Sequence, residues 1–417
     1  MLRRSLMLLL LAACAAGDVR AQGAAPAAKE ELRGVVIVAR HGLRAPIESE
    51  MRSGVFNAQP WPKWPVQAGL LTPHGIDALK QMGEYYRQQY GGLITNCHSV
   101  LAYSTKSPRA FASAVVVIGE LFHEMPQCDA HSIEMSLTTD PPDLDKGKLG
   151  DAVNGRMGDD PLWFTGTYAR PLETMHDVLT QCAGCRTVPD FRTMMIEGEV
   201  PAMMHGEAAR DAAVKVVARD ARRENAVAPG ADFAENFLLQ YIEGMPMKDV
   251  GWGRVDRAKL DELMEMNTRY HDFMLRTPYW SKAAAGPLAL KIAQLLQVQA
   301  KGDGSAKVAY LSAHDANLGW LGGLLQMDWK VSDETQNATP PGSAMVFELW
   351  HGAKGDVVRV RFVAQTLDQI RSLAVLTEGD GPSVSPVYVP GCSEGAPGYG
   401  CSVEGFVKVV QKRVGDL

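Results

Sequence analysis

The chain has 417 residues, of which 46% are hydrophobic, so it can bury the core of one large domain or of two. Its formal net charge is −6, which excludes the broad basic surface that a nucleic-acid-binding protein needs. A site for an anionic ligand must therefore be local and built from a few cations placed close together.

The first residues are typical of a secretory signal peptide. Arg3 and Arg4 make the start of the chain basic, and the apolar run that follows at 6–16 is too short to span a bilayer. Small residues near Ala21 offer a cleavage position, so we predict that residues 1–21 are removed and that the mature protein is periplasmic or secreted. A lipoprotein signal acylated at Cys14 is the alternative, and no membrane contact is expected apart from such an anchor.

A buried strand ends in a polar loop shortly after this leader. Residues 35–39 are an unbroken apolar run, and Arg40, His41 and Arg44 follow in a loop restrained by a Gly and a Pro. Ligands of open α/β sheets bind at the carboxyl ends of the strands. Two guanidiniums beside an imidazole suit an oxyanion such as phosphate better than a metal ion. For an Arg-His pair alone, a basic surface loop would be the simpler interpretation.

The alternation of strand and helix then continues. Residues 47–71 lack periodicity and are expected to form a loop, after which Thr72 and Pro73 open a helix as its N-cap and first residue. Apolar residues recur at helical spacing until a Gly pair ends this helix. A second strand pattern at 100–103 leads into another strand-to-helix turn, where Arg109 lies.

The middle of the chain has a different pattern. Between about 161 and 285, strand-like runs give way to amphipathic helical patterns, including a charge-rich segment at 207–223. This region predicts an all-helical insertion that covers one face of the sheet.

A further strand end carries polar residues. Residues 307–313 have the pattern of a buried strand and are followed by His314 and Asp315, so two functional strand ends can meet at one edge of the sheet. A His-Asp pair could also bind a metal, but no third ligand has a plausible spacing and the nearby charges are cationic. Residues 344–350 and 357–363 predict two strands that extend the sheet antiparallel.

The loop at 40–46 resembles the Arg-His-Gly-x-Arg-x-Pro motif of the histidine acid phosphatases, which belong to the phosphoglycerate-mutase-like histidine phosphatases. All five fixed positions are met, and the segments that contain Arg109 and residues 314–317 resemble further blocks of this family. The resemblance implies an α/β fold with a three-layer core, in which helices cover both faces of a mostly parallel sheet, and an inserted all-α cap domain. The expected boundaries are 33–157 and 286–417 for the core and 158–285 for the cap.

The same resemblance implies an acid phosphomonoesterase that works through a covalent phosphohistidine. His41 would be the nucleophile and Asp315 the acid that protonates the leaving oxygen, with bound phosphate raising the pKa of Asp315. Nearby guanidiniums should lower the pKa of His41 and keep it uncharged in mildly acidic solution. No metal or cofactor is implied. The side chains expected to bind the phosphate oxygens are Arg40, Arg44, Arg109 and His314.

Three positions bear on the substrate, which is expected to be a small-molecule phosphate monoester. Phytases of the similar bacterial branch, which also contains glucose-1-phosphatases, usually place Thr and Lys after the motif, where this chain has Ile47 and Glu48. A carboxylate there repels a polyanion, so the sequence favours sugar phosphates, with true phytate preference as an alternative. By analogy Glu235 is expected near the leaving group.

Two other functions stay open at this point, a phosphoryl-transferring mutase and a non-catalytic phospho-ligand binding protein on the same fold. Secretion argues against the first, and the presence of both His41 and Asp315 argues against the second. We expect a monomer or a small homo-oligomer.

Six of the seven cysteines remain once Cys14 is removed or acylated. An even number in an exported protein favours structural disulfides. Proximity in the sequence suggests three pairs, of which the outer two match the family's pattern: Cys97–Cys128, Cys182–Cys185 and Cys392–Cys401. The middle pair could instead be a redox Cys-x-x-Cys motif, although nothing thioredoxin-like surrounds it.

Overall fold

The structure is a computed structural model that describes most of residues 30–415. Its longer gaps cover residues 159–165 and 189–226. The shorter gaps are 52–53, 129–131, 139–143, 157, 303, 305, 333, 354, 378 and 396–397. The predicted signal peptide with Cys14 and the charge-rich segment at 207–223 lie outside the described residues.

A mixed sheet lies at the centre of the described part of the chain. Its strands are β1 Glu31–Arg40, β2 Val100–Thr105, β3 Glu134–Leu137, β4 Val308–Ala313, β5 Ala344–Gly352, β6 Gly355–Ala364, β7 Ser383–Val387 and β8 Cys401–Ser402. Their order is β3-β2-β4-β1-β5-β6-β7, with β8 also paired to β6. The first four strands in this order are parallel, and the others pair antiparallel. The predicted antiparallel extension is confirmed, since β5 and β6 form it directly beside β1.

Helices flank the sheet and fill the middle of the chain. Those that the structure describes are α1 Glu48–Met51, α2 Pro73–Tyr90, α3 Pro108–Leu121, α4 Lys146–Arg156, α5 Ala169–Thr180, α6 Val227–Ile242, α7 Arg257–Leu275, α8 Pro278–Lys301, α9 Asp315–Leu325, α10 Leu367–Ser372 and α11 Val403–Val414. The short helix α1 lies within 47–71, where the sequence predicted only a loop.

Strand β1 explains why helices cover both faces of the sheet. Val35 and Ile37 pack in one hydrophobic cluster with residues of α2 and α3, whereas Val36 and Val38 pack in another with residues of α8, α9 and α11. Side chains alternate between the two faces of a strand, so an unbroken apolar run requires apolar partners on both. The predicted three-layer α/β core is confirmed.

The start of α2 packs against the loop that follows β1. Thr72 is the N-cap, as predicted, since its side chain accepts a hydrogen bond from the Gly75 amide at 2.9 Å. Its own amide donates to the Leu43 carbonyl at 3.2 Å. A Cβ on Gly75 would lie 2.1 Å from that carbonyl oxygen, so a larger residue would displace the loop. This contact helps to fix the segment that carries His41.

The helices in the middle of the chain have a hydrophobic core of their own. Residues of α5, α6 and α7 form this cluster together with Leu367 and Ile370 of α10 and Leu43 of the loop after β1. The predicted helical insertion ends at residue 285, which lies inside α8. Because the buried face of α8 packs in the cluster beneath the sheet, this whole helix belongs with the α/β layers.

Three disulfides join the cysteine pairs that the sequence suggested. Cys97–Cys128 connects the segment before β2 with the segment after α3, Cys182–Cys185 closes a turn after α5, and Cys392–Cys401 closes the loop before α11. Among the helices described, none is long and apolar enough to cross a membrane.

Candidate active site

The carboxyl ends of three neighbouring parallel strands form the floor of the candidate site. In the register of β1 with β4, Arg40 lies opposite Ala313, and in the register of β2 with β4, Ser104 lies opposite Ser312. The residues at the end of each strand and just after it therefore lie at the same edge of the sheet, which is where open α/β sheets bind ligands. His41, Thr105 and His314 come together in this way.

His41 is held rigidly in the centre of the site. Its side chain is 2% exposed, its amide donates to the Ala313 carbonyl at 3.0 Å, and its Nδ1 lies 2.8 Å from the Gly42 carbonyl oxygen. A carbonyl oxygen can only accept a hydrogen bond, so Nδ1 carries the proton of the neutral ring. The lone pair then lies on Nε2, which is the nitrogen available for attack.

The surroundings of His41 oppose its protonation. Burial is the largest cause of a pKa well below the usual 6.5, and the charges of Arg109, His314, Arg44 and Arg40 lower the pKa further. The direction agrees with the sequence prediction, although the largest single cause is desolvation and not any one guanidinium. His41 is therefore uncharged in mildly acidic solution.

Arg44 is oriented by a carboxylate that the sequence analysis did not single out. Its Nη1 and Nη2 donate to the two carboxylate oxygens of Glu50 at 2.7 and 2.6 Å, and both side chains are buried. The Ile47 amide donates to the same carboxylate at 2.8 Å. This two-point pairing fixes the plane of the guanidinium. Glu50 lies on α1, and its position six residues after Arg44 is the only signal in the sequence that could have suggested it.

Arg109 and His314 form the opposite side of the site. Arg109 Nη2 lies 3.4 Å from His314 Nδ1, while His314 Nε2 lies 3.0 Å from the hydroxyl of Thr105, a residue not predicted from the sequence. The rings of His314 and His41 are 5.2 Å apart and nearly perpendicular. Burial and the charge of Arg44 lower the pKa of Arg109 to about 10, so it remains a cation. These groups present donors and positive charge toward His41.

Arg40 connects the strand ends with the helices in the middle of the chain. Its Nη2 lies 2.5 Å from Glu235 Oε1 on α6 and 3.0 Å from Asp315 Oδ2 at the start of α9. Its Nη1 donates to the Thr339 carbonyl at 2.6 Å. One guanidinium thus holds two carboxylates beside the imidazole, and the proposed acid Asp315 belongs to the same cluster as His41.

The electrostatics of Asp315 differ from those of an acid that is ready to donate. Burial raises its pKa, but the charge of Arg40, with that of His271, His41 and His314 when they are protonated, outweighs burial and brings the pKa below the ordinary range for aspartate. Asp315 is thus a carboxylate in the free protein. The raised pKa predicted from the sequence requires the negative charge of a bound phosphate to offset these cations.

The three possible substrate-pocket residues occupy different places. Glu235 is buried against Arg40, while Glu48 is exposed at the first position of α1. A Cβ on Gly69 would lie 3.4 Å from Ile47 Cγ2 and 3.7 Å from Arg109 Nη1, so Ile47 lies near the phosphate-side cations. His271 of α7, which the sequence analysis did not select, lines a cavity together with Arg40, Glu235 and Asp315.

One donor on each of the three arginines lacks a partner within the described chain. The Nε atoms of Arg40, Arg44 and Arg109 are buried and make no hydrogen bond to another described residue. Buried donors are normally satisfied, so unpaired ones call for a ligand, an ion or water. Three fixed cations with spare donors around a neutral imidazole suit a phosphate group and would repel a metal cation.

Comparisons with known proteins agree with this geometry. The family model of the histidine phosphatase superfamily (branch 2) matches residues 31–154 and 209–363. The chain is 28% identical to phytase AppA of Escherichia coli over 92% of each chain, and 28% identical to the glucose-1-phosphatase of Salmonella typhimurium over 96% of this chain and 98% of that one.

Solved structures give the same result. The Hafnia alvei phytase in complex with myo-inositol hexakis sulphate has a TM-score of 0.76 and 27% identity, and the match covers 94% of this chain and 98% of that one. The match extends across the sheet and the helices in the middle of the chain. The protein belongs to branch 2 of the histidine phosphatase superfamily and is a phosphomonoesterase.

Proposed function

We propose that the protein hydrolyses phosphate monoesters by passing the phosphoryl group from the substrate to Nε2 of His41 and then to water. One observation carries the proposal. A buried imidazole with its lone pair on Nε2 is surrounded by three arginines, and the Nε donor of each has no hydrogen-bond partner among the described residues. A neutral nitrogen nucleophile avoids the charge repulsion that an anion meets at a phosphoryl group.

The first step forms a bond from His41 Nε2 to phosphorus and breaks the bond from phosphorus to the ester oxygen. Arg40, Arg44, Arg109 and His314 bind the equatorial oxygens, where charge redistributes in the transition state. Fixed donors of this kind need no rearrangement during the reaction. The second step breaks the bond from Nε2 to phosphorus and forms one to a water oxygen, which releases inorganic phosphate.

Asp315 is the general acid in the first step and the general base in the second. It gives a proton to the ester oxygen as the alcohol leaves and takes one from the attacking water. It loses that proton once phosphate has left, because its pKa in the free protein is low. Since Arg40 and the nearby histidines lower the pKa of Asp315, the bound phosphoryl group must raise it before the first transfer. The ion pair with Arg40 keeps Asp315 next to the reacting group.

The low pKa of His41 determines the pH below which kcat/KM should fall. Protonated imidazole has no lone pair on Nε2, so kcat/KM falls as the pH drops through the pKa of His41 in the free enzyme. That pKa is well below 6.5, so the enzyme keeps its nucleophile in acidic solution. A kcat/KM profile with an acidic limb centred at or above pH 6.5 would contradict this assignment.

Trapping the covalent intermediate tests the scheme. Asp315→Asn with a ³²P-labelled aryl phosphate should accumulate label on His41, because a good leaving group departs without help while the attack of water loses its base. The label should be stable to base and labile to acid. Label on a serine, or label that survives His41→Ala, would overturn the scheme.

For the substrate we propose sugar phosphates and other monoesters of low charge. The support is the exposed carboxylate of Glu48, next to Ile47 at the side of the site where Arg109 lies. A negative charge at this entrance repels a polyanion more than a monophosphate. Similarity to phytases supports phytate as the competing substrate. Phosphate release from glucose 1-phosphate, an aryl phosphate and phytate, compared as kcat/KM, decides between them, and a clear preference for phytate would reject our choice.

We also propose that the enzyme is exported. The leader at residues 1–21 and three disulfides support an oxidising compartment. Mass spectrometry of the mature amino terminus should find residue 22 first. An acylated Cys14 at the amino terminus would show a lipoprotein instead.

A further inference from the structure

A small cavity lies on the side of Asp315 that faces the helices in the middle of the chain. Arg40, Glu235 and Asp315 line it, and α7 contributes Asn267 and His271. Its volume is about 30 Å³, which is enough for one or two water molecules, and its polar lining supplies their hydrogen-bond partners. Of the four residues expected to bind phosphate, Arg40 lines this cavity, whereas Arg44, Arg109 and His314 do not.

His271 is the one histidine among the described residues of this lining, and the ordinary pKa of an imidazole is about 6.5. Negative charge reaches it from Asp315 of α9, Glu235 of α6 and Glu50 of α1, and positive charge from Arg40 of β1. Glu334 also lines the cavity, and the ring of Tyr270 lies 6.0 Å away. Burial lowers the pKa of His271 below 6.5, while the carboxylates oppose that change. His271 therefore accepts a proton only in acidic solution.

The proposed function does not identify the group that gives Asp315 the proton used in the first step. Asp315 is a carboxylate in the free protein, yet it must hold a proton before the alcohol can leave. The cavity reaches Asp315 between Arg40 and the residues of α6 and α7, and His271 lies on its wall.

We propose that His271 is a positioning residue that loads Asp315 with the proton used in the first step. The inference rests on the proposed function of Asp315. A water in the cavity gives one proton to the Asp315 carboxylate and takes one from the His271 imidazolium. One N–H bond breaks and one carboxyl O–H bond forms, so His271 ends neutral and the water is unchanged. His271 acts through Asp315 and does not touch the substrate.

Leaving-group dependence tests the proposal. Glycerol 2-phosphate has a leaving alkoxide that needs a proton, whereas p-nitrophenyl phosphate has a leaving group that departs almost unaided. In His271→Asn, kcat for glycerol 2-phosphate should fall about tenfold or more, while kcat for p-nitrophenyl phosphate changes less than about twofold. His74→Asn is the matched control, since His74 is a half-buried histidine that bonds the Ile370 carbonyl and does not line the cavity.

The pH profile of the unmodified enzyme gives a second readout that does not depend on a variant folding well. With glycerol 2-phosphate, kcat should decrease as the pH rises through the pKa of His271, because fewer molecules carry the proton to be transferred. With p-nitrophenyl phosphate this limb should be absent. His271→Ala with added imidazole should recover part of the lost kcat for glycerol 2-phosphate only.

The outcomes separate this inference from the function on which it rests. Equal losses of kcat for both esters in His271→Asn, equal pH profiles for both esters, or no loss at all would reject the relay. If Asp315→Asn itself had no leaving-group dependence, the proposed function of Asp315 would fail first. His41→Ala should abolish the hydrolysis of both esters in every case.

Discussion

The strand-end side of the site and its helical side contribute different chemistry. His41, Arg44, Arg109 and His314 follow parallel strands and surround the position of a phosphate with fixed donors. Glu235 and His271 lie on helices α6 and α7 and line the same cavity as Asp315. Arg40 connects the sides through its Nη2 contacts with Glu235 and Asp315. In the mechanism we propose, phosphate binding therefore depends on the sheet, whereas proton transfer depends on how the helices pack over it.

Removal of the nucleophile is the most severe test of the strand-end side. His41→Ala should lower kcat/KM by roughly 10⁴-fold or more, for aryl and alkyl esters alike, because no other group can carry the phosphoryl group. The arginines remain, so inorganic phosphate should still raise the melting temperature of the variant. Residual turnover that depends on the leaving group would place the nucleophile elsewhere.

Loss of one hydrogen-bond donor to the phosphate should lower activity less than loss of His41 does. The loss should be equal for aryl and alkyl esters. Arg109→Gln is expected to reduce kcat by about 10²–10³-fold, because charge that develops on the phosphoryl oxygens loses a preorganised donor. Arg87→Gln is the control, since Arg87 is a half-buried arginine of α2 that pairs with Glu84 and Glu124. A loss confined to alkyl esters would instead assign Arg109 to the proton-transfer side.

The sequence predicted the strand-end side better than the helical side for a physical reason. An apolar run followed at once by polar residues marks a strand end, and parallel strand ends meet at one edge, so His41 and His314 could be placed together without a structure. No local pattern marks which face of an amphipathic helix meets Asp315, and His271 has the spacing of an ordinary helical residue. Glu50 was missed because α1 is too short to show periodicity.

The Glu50 carboxylate that pairs with Arg44 should matter more for the free energy of unfolding than for catalysis. Glu50→Gln keeps the shape of the side chain but leaves a buried guanidinium without its charged partner, so the free energy of unfolding should fall by about 3 kcal/mol. Urea denaturation measures this change, and kcat/KM should fall only about tenfold because Arg44 itself remains. Phosphate should stabilise this variant more than the parent enzyme, since the anion replaces the lost charge. Equal stabilisation of both proteins by phosphate would show that Arg44 does not face the anion.

The smallest expected effect concerns the entrance beside Ile47. Glu48→Lys should raise kcat/KM for phytate by about two- to fivefold relative to glucose 1-phosphate, which corresponds to about 0.5–1 kcal/mol for an exposed charge. The gain should shrink as salt is added, because exposed charges are screened beyond a Debye length. Glu48→Gln should give a smaller gain in the same direction, since it removes the repulsion without adding attraction. If both variants left the ratio of the two kcat/KM values unchanged, the charge at the entrance would not select the substrate, and selection would have to come from residues deeper in the site.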